Sequence, residues 1–499
     1  MTKASEGALR SLFALILILC LGAACVSKAP AVAAMPAPAL AAAQDPMRAV
    51  LLVHVDGVDV DWNEPWGAGR AWSRTIIGLP APGHRVLVAG WQLRNAQHVE
   101  VQRPGAVARA VARIELFDVD AGLAVLAVDG DTFWAEIGQA LLSRTLPRPG
   151  KVKVVHALPE GLRAESYDAV ATGYDAMGVF AFLALRLEQI EAQHVAIGDA
   201  VSVDGEFVGI VTMTGGPDLI AITSVTLADF LDLTAHPPYR GYASSGFWWQ
   251  RLSNTVLRNA LGLGPGDGGV LVRRVWPRGS AFGVLEEGDV VLAVGDQAID
   301  NDGTYAHPIA KRMQLQTLFG NGTHPGDTVS LHILRHGERK TVNLVLKSWP
   351  DDQTLVPWFG DRRAYVVRGG LVFERMSREY LLAFGKDWEQ KAPAALLEPF
   401  ELDRFDATTE RPGVVVLTRA LPVPATLGYE HVRNLVVDRI NDIAVHTIDE
   451  VRAAFSHPIG GFHIVTFSAG QGLRRIVLDA EEAKAADVIL RQKYRLEEG

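Results

Sequence analysis

The 499-residue chain is predicted to be mostly β, and three observations carry that prediction. Residues 49–232 hold short alternating apolar runs, among them "AVLLVHV", "HVEVQ", "AVARIELF", "LAVLAV", "KVKVV" and "EFVGIVTM", separated by Gly and Pro. Alternation places successive side chains on opposite faces of a strand, and many short strands of this kind close into a sandwich or barrel. Two later stretches repeat one plan. "GVLVRRVWP" (269–277) is followed by "DVVLAVGDQAI" (289–299), and "VVVLTRALP" (414–422) by "NLVVDRINDIAV" (434–445). In each, a strand ends in proline and a second strand reaches a tight turn, at Gly295-Asp296 or Asn441-Asp442. Hydrophobic residues are 48% and charged residues 21%, enough core material for several domains at this length.

Taken in order, the chain opens with Lys3 and Arg10 ahead of an apolar run, "LFALILILCLGAACV" (12–26), and then "APAVAAMPAPALAAAQD". The run is shorter than the about 20 apolar residues of a spanning helix, so residues 1–45 read as a signal or targeting segment with an Ala/Pro-rich linker. Export to the periplasm or cell envelope is expected. Leu21-Gly22-Ala23-Ala24-Cys25 resembles a lipoprotein box, which makes an anchor through the N-terminus or a lipid on Cys25 the alternative. Cys20 and Cys25 are the only cysteines, so the body can form no internal disulfide and no thiolate metal site. The net charge of −9, without a basic block, gives no footprint for nucleic acid.

A first unit is expected over 46–235, closed by the helical spacing of "VTLADFLDL" (225–233), with His236-Pro237-Pro238 as linker. The repeated units are expected over 239–349 and 364–482, with a tail at 483–499. After each tight turn the pattern predicts a helix, Ala306–Phe319 in one unit and Thr447–Phe455 in the other. "DTVSLHILRHGERKTVNLVL" predicts a closing hairpin that turns at His336-Gly337. No metal spacing and no phosphate-binding glycine motif is present: the glycine-rich run 262–269 precedes a strand, and His54, His156 and His332 lie scattered in strand-like runs. No cofactor is expected.

"VLVAGWQLRNAQHVEVQ" (86–102) resembles the segment in which HtrA/Deg serine proteases carry their catalytic histidine. Leu285-Glu286-Glu287-Gly288-Asp289-Val290-Val291 resembles the PDZ signature, and Ser244-Ser245-Gly246-Phe247 stands where a PDZ domain has its carboxylate-binding loop. Gly370-Leu371-Val372-Phe373 resembles a second such strand, and the insert "FERMSREYLLAFGKDWEQKAP" is similar to that of plant-type Deg proteases. The resemblance implies a trypsin-like double β-barrel followed by two PDZ domains, and a trimer-based homo-oligomer. It further implies peptide capture through Ser245, Gly246 and Phe247, with intra- or intersubunit contacts from the second PDZ unit. The alternative is that Trp248 and Trp249 pack against the barrel and close the groove.

The same overlay puts unsuitable residues at the triad positions. Trp91 stands in the histidine slot, and indole has a donor but no acceptor and no usable pKa. Gly122 stands in the aspartate slot, with Asp120 two residues away as a solvated turn residue. Counting back from Asp204-Gly205 puts Ala196 or Ile197 at the nucleophile, and of the glycine frame only Gly198 remains. Losing the nucleophile or the base alone costs about 10⁶-fold in a comparable enzyme. The expectation is therefore a non-catalytic protein that binds unfolded or C-terminal protein segments, in quality control, or that assembles with active Deg paralogues. The alternative is an active serine endopeptidase. Trp91 and Ile197 are expected to fill the former cleft and to be largely buried.

Overall fold

The computed structural model describes residues 46–496 except 136, 159–162, 179, 190–195, 216–217, 350–352, 362–363 and 386. The targeting segment, both cysteines and the last three residues of the chain lie outside the described residues.

The first barrel comprises β1 (Leu51–Asp59), β2 (Arg70–Ala81), β3 (Arg85–Ala89), β4 (Ala96–Gln102), β5 (Arg109–Asp118) and β6 (Leu123–Val128), closed in the order β1-β2-β3-β6-β5-β4. A short helix, α1 (Asp131–Trp134), leads out of it. The second comprises β7 (Gly150–Ala157), β8 (Ala164–Met177), β9 (Phe182–Gln189), β10 (Ala200–Val203), β11 (Glu206–Gly215) and β12 (Asp218–Thr223), closed as β10-β11-β12-β9-β8-β7. Closure leaves neither sheet an open edge. The alternating runs explain both cores. On β3, Val86 and Val88 face the interior of the first barrel, while Leu87 and Ala89 join the core between the barrels. That shared core includes Phe182, Phe207 and, from α2 (Ser224–Thr234), Leu227 and Phe230. Two facing barrels of this kind are the trypsin-like arrangement the sequence implied.

The next unit holds β13 (Ala243–Ser244), β14 (Phe247–Arg251), α3 (Thr255–Ala260), β15 (Val270–Val275), β16 (Val290–Val294) and β17 (Gln297–Ala298). It continues through β18 (Thr304–His307), β19 (Lys311–Gln314), α4 (Thr317–Gly320), β20 (Thr328–Arg335), β21 (Glu338–Val345) and β22 (Lys347–Ser348). Its main sheet runs β14-β15-β16-β20-β21. The helix expected over Ala306–Phe319 is instead the hairpin β18–β19, followed by the four-residue α4. Pro308 has no N–H to continue a helix, and Lys311 takes a left-handed φ of 64°, so the chain turns back on itself. The unit leans on the second barrel: Leu183 N–H donates to Asn321 Oδ1 at 3.0 Å and His324 Nε2 meets Asp229 Oδ1 at 2.8 Å.

The last unit holds β23 (Tyr365–Arg368), β24 (Leu371–Arg375), α5 (Arg378–Leu382), α6 (Trp388–Lys391), α7 (Ala394–Glu401), β25 (Val415–Ala420), β26 (Leu435–Ile440) and β27 (Ile443–Ala444). It ends with α8 (Ile448–Ala454), β28 (Phe462–Phe467), β29 (Arg475–Asp479) and α9 (Ala480–Tyr494). Its sheet runs β23-β24-β25-β26-β28-β29. Here the expected helix forms, because Thr447 accepts from Glu450 N–H while the Glu450 carboxylate accepts from Thr447 N–H. The turn Asn441-Asp442 has positive φ at both residues, and Asn441 Nδ2 donates to Ala454 O. The segment expected as a tail is largely the helix α9, which buries Ala483, Ala486 and Leu490 against this unit.

The Gly-Asp step of "LEEGDVV" has a physical cause. Asp289 is 1% exposed and receives Arg335 Nε and Nη2, each at 2.7 Å, while Glu286 N–H donates to the same carboxylate at 2.9 Å. The second copy lacks this pair. Asp289→Ala should therefore remove two charge-assisted hydrogen bonds from Arg335, which Glu286 Oε1 at 2.7 Å still pairs, and lower stability by about 1.5–3 kcal/mol, read as a shifted midpoint in urea unfolding.

Candidate functional site

β3 runs into a 3₁₀ turn, Gly90–Leu93, which carries Trp91 to the mouth of the cleft between the barrels. Gly90 N–H donates to Gly122 O at 2.7 Å, so the loop before β6 is joined directly to this turn. A Cβ at Gly90 would collide with the Phe117 ring, which explains the glycine. Gly122 has φ +64°, and a Cβ there would lie 2.5 Å from Trp91 Nε1. The indole thus lies where a side chain at 122 would project. Trp91 and a carboxylate at 122 exclude each other.

Trp91 is half-buried rather than largely buried, because the cleft is covered from above and not filled from within. Its ring packs edge-on against Phe117 at 6.0 Å and Trp358 at 4.9 Å, and tilted against Phe359 at 5.7 Å. The Arg378 guanidinium lies 4.0 Å over Trp358, 5.7 Å over Trp91 and 5.8 Å over Trp388. Burial, with Arg404 nearby, pushes that guanidinium down to about 10. The lid consists of the last unit and the segment leading into it.

Asp120 is not a solvated turn residue. Its Oδ1 accepts from Trp358 Nε1 at 3.0 Å, with Arg404 Nη2 at 3.9 Å. The turn that presents it is built by Asp118, whose carboxylate accepts from the Asp120 and Ala121 N–H groups and from the Tyr239 hydroxyl. Burial pushes the Asp118 carboxyl up despite those donors. Beside this contact, Glu379 is buried, accepting from Asn95 Nδ2 and Gly360 N–H at 3.2 Å each, with Arg94 Nε at 3.6 Å. Burial raises its carboxyl and Arg94 draws it back. Sequence reasoning missed Trp358, Arg378, Glu379 and Arg404 as cleft residues. The signal available for the latter three was the long insert and its surroundings, where tryptophan and arginine recur beside apolar helix.

At the nucleophile slot, Ala196 is exposed and Ile197 is half-buried against the core between the barrels. Ala196 N–H donates to Asp199 Oδ2 at 2.7 Å, and Asp199 is paired with His156 Nδ1 at 2.8 Å. Burial raises the Asp199 carboxyl and His156 lowers it. One N–H that an oxyanion would need is therefore already donated. Its companion donor, two residues upstream by the usual geometry, falls outside the described residues. Gly198 keeps a φ of +103°, and its N–H donates to Val211 O at 2.8 Å.

The proposed peptide-capture residues are enclosed. Ser245 is 7% and Phe247 1% exposed, and a Cβ at Gly246 would lie 2.5 Å from Ser280 N. Ser280 Oγ donates to Ser244 O, accepts from Lys347 N–H, and so seals the loop. Trp248 packs on Trp276 at 5.2 Å and Phe405 at 6.1 Å, rings that belong to the core shared by the barrels, so it leans on the barrels as the alternative has it, whereas Trp249 lies on Gly303 within its own unit. In the last unit, β23 pairs antiparallel with β24, Tyr365 opposite Glu374 and Arg368 opposite Leu371. β23 also touches α8, as an added ligand strand would. Among the described residues no group of His, Asp and Glu is arranged to hold a metal.

The Trp91–Gly122 exclusion is open to a direct check. Gly122→Asp should destabilise by roughly 1–3 kcal/mol from the left-handed backbone alone, with a further loss from the indole contact. Adding Trp91→Ala should recover that further part, so a double-mutant cycle by thermal melting should show clear non-additivity.

A family model described as "PDZ domain" matches residues 357–498. The chain is 27% identical to "Protease Do-like 2, chloroplastic" of Arabidopsis thaliana over 418 residues, covering 81% of this chain and 67% of that protein. "Putative protease Do-like 13" of the same plant is 21% identical, covering 87% of this chain and 84% of that protein. Among solved structures, "HtrA-type protease AlgW with decapeptide" is 17% identical with a TM-score of 0.46, covering 61% of this chain and 96% of that one. The extent of the Do-like matches and the PDZ match agree with the order of double barrel and PDZ units: the chain belongs to the HtrA/Deg (protease Do-like) family, with a PDZ domain in its C-terminal region.

Proposed function

We propose that the protein is a non-catalytic HtrA/Deg member, exported to the periplasm or cell envelope, that binds protein segments or partner proteins in quality control. The observation that carries this reading is the contact between Trp91 and Gly122, which occupies the ground where a base and its orienting carboxylate would meet. Indole cannot accept a proton, Ala196 has no hydroxyl to give one, and the Ala196 N–H is committed to Asp199. The lid of Trp358 and Arg378 further denies a polypeptide entry from that side.

One observation favours the reading of a structural or regulatory subunit beside active Deg paralogues over simple peptide capture. The Ser245–Phe247 loop is sealed and the β24 edge is taken by β23, so partners would meet outer surfaces of a homo-oligomer, trimer-based by family resemblance, instead of open grooves.

Incubation of the purified full chain with an unfolded casein and a fluorophosphonate probe should give neither cleavage nor labelling. Inhibitor-sensitive cleavage would overturn the reading. Co-sedimentation with an active paralogue, against retention of unfolded casein without cleavage, separates the two binding roles. The mass of the mature N-terminus distinguishes cleavage in the Ala-rich stretch from a lipid on Cys25.

A further inference from the structure

Glu374 lies on β24 at the seam where the last unit meets the first barrel. It is 2% exposed, and its Oε1 has no hydrogen-bond partner. Its ladder neighbours are Tyr365 on β23 and Val416 on β25. Val416 belongs to a core cluster with Met376, Tyr380 of α5 and, from the loop after β1, Trp62. Trp62 and Tyr380 meet edge-on at 6.4 Å. The carboxyl therefore sits in the apolar joint that ties β23, β24 and the barrel loop together.

Among the described residues, the groups facing it offer no cation. Asp61 of the barrel loop adds repulsion, the Thr418 hydroxyl of β25 lies near but donates to Val372 O at 3.4 Å, and the Tyr380 phenol is itself raised by burial. The nearby arginines are committed elsewhere: Arg375 Nη2 donates to Pro412 O at 3.0 Å, and Arg419 Nη1 meets Glu64 Oε1 at 3.1 Å. A buried carboxyl with one oxygen unpartnered and a carboxylate, Asp61, in charge range is tolerated when neutral and costly when ionised.

We propose that the proton on Glu374 holds the last unit against the first barrel, and that losing it loosens both the seam and the β23–β24 hairpin. What would then occupy the freed β24 edge rests on the binding role proposed above. The loosening does not, and the experiment reads the loosening alone.

The direction follows from linkage. Burial, with Asp61 adding to it, pushes Glu374 up to about 8 in the closed seam, against about 4.3 once solvated. Between those values the closed form keeps a proton that the open form has lost. The closed-to-open ratio should therefore fall by about tenfold per pH unit across that window, with no further loss above it.

Hydrogen exchange of the full chain, followed by mass spectrometry from pH 6 to 8.5 and normalised to the intrinsic rate at each pH, tests this. The peptide spanning 365–375 should lose protection by about tenfold per unit up to about pH 8, while the 51–81 strands stay level. Glu374→Gln should hold the low-pH protection throughout. Asp61→Asn, at an exposed position, should bring the upper end of the window to lower pH, and it decides the matter if the Gln variant does not fold. A level 365–375 profile in the unmodified chain overturns the proposal. So does a fall that persists in Glu374→Gln, or an upper end unmoved by Asp61→Asn.

Discussion

The arrangement depends on one contact, the indole of Trp91 against the bare backbone of Gly122. Any side chain at 122 would force the ring away, and with it the stack formed by Trp358, Phe359 and Arg378. That stack seats the last unit on the first barrel. Trp91, which sequence resemblance lays over the histidine slot, is thus also the floor of an intramolecular interface. A glycine four residues beyond Asp118 matters here for the volume it leaves empty.

Rings hold this seam, and charges set its alignment. A fully buried tryptophan of about 150–250 Å² contributes roughly 4–6 kcal/mol of apolar burial. Trp62 and Trp388 are 6% exposed each, so they approach that limit. The ionic contacts stand differently. Glu379 and Arg94 are 3.6 Å apart, and Glu379 loses most of its hydration, so their pairing is near break-even against an apolar substitute. Removing one partner is still costly, because the other remains buried. Such pairs add little net stability, yet they penalise any docking in which Asn95, Gly360 and Arg94 miss the carboxylate.

How much of this was legible in the sequence varies with the range of the interaction. The barrels, α2 and the closing hairpin at His336-Gly337 follow from local alternation and turn residues, and those were readable. Trp91, Gly122 and Ala196 or Ile197 could be placed against a family motif from sequence, since each sits in a turn or loop next to a strand whose pattern fixes the count. The hairpin at 304–314 was not, because its apolar spacing suits a helix and only Pro308 and the positive φ at Lys311 decide otherwise. The role of Asp120 is hidden from the sequence for another reason. Its partner Trp358 is 238 residues distant, and no local pattern reports a contact of that span.

The two units after the barrels close the corresponding edges by different means, and the difference is physical. The first seals a backbone loop with one hydroxyl, Ser280, bonded on both sides, which requires a glycine at 246 because no Cβ fits against Ser280 N. The second covers its edge with a strand of its own chain, which needs only a tight turn at Gly369-Gly370. A hydroxyl lock keeps its geometry until the backbone itself moves. A strand held by ladder bonds and an apolar joint can leave as a unit if the joint weakens. The joint of the second unit contains a buried carboxyl with one oxygen unpartnered, and that of the first contains none among its sealing residues. The backbone bond from Gly90 to Gly122 meanwhile keeps β3 and β6 in the relation that would align an acid and a base. That backbone alignment presses an indole onto a glycine, and a side chain at either position is felt at the other.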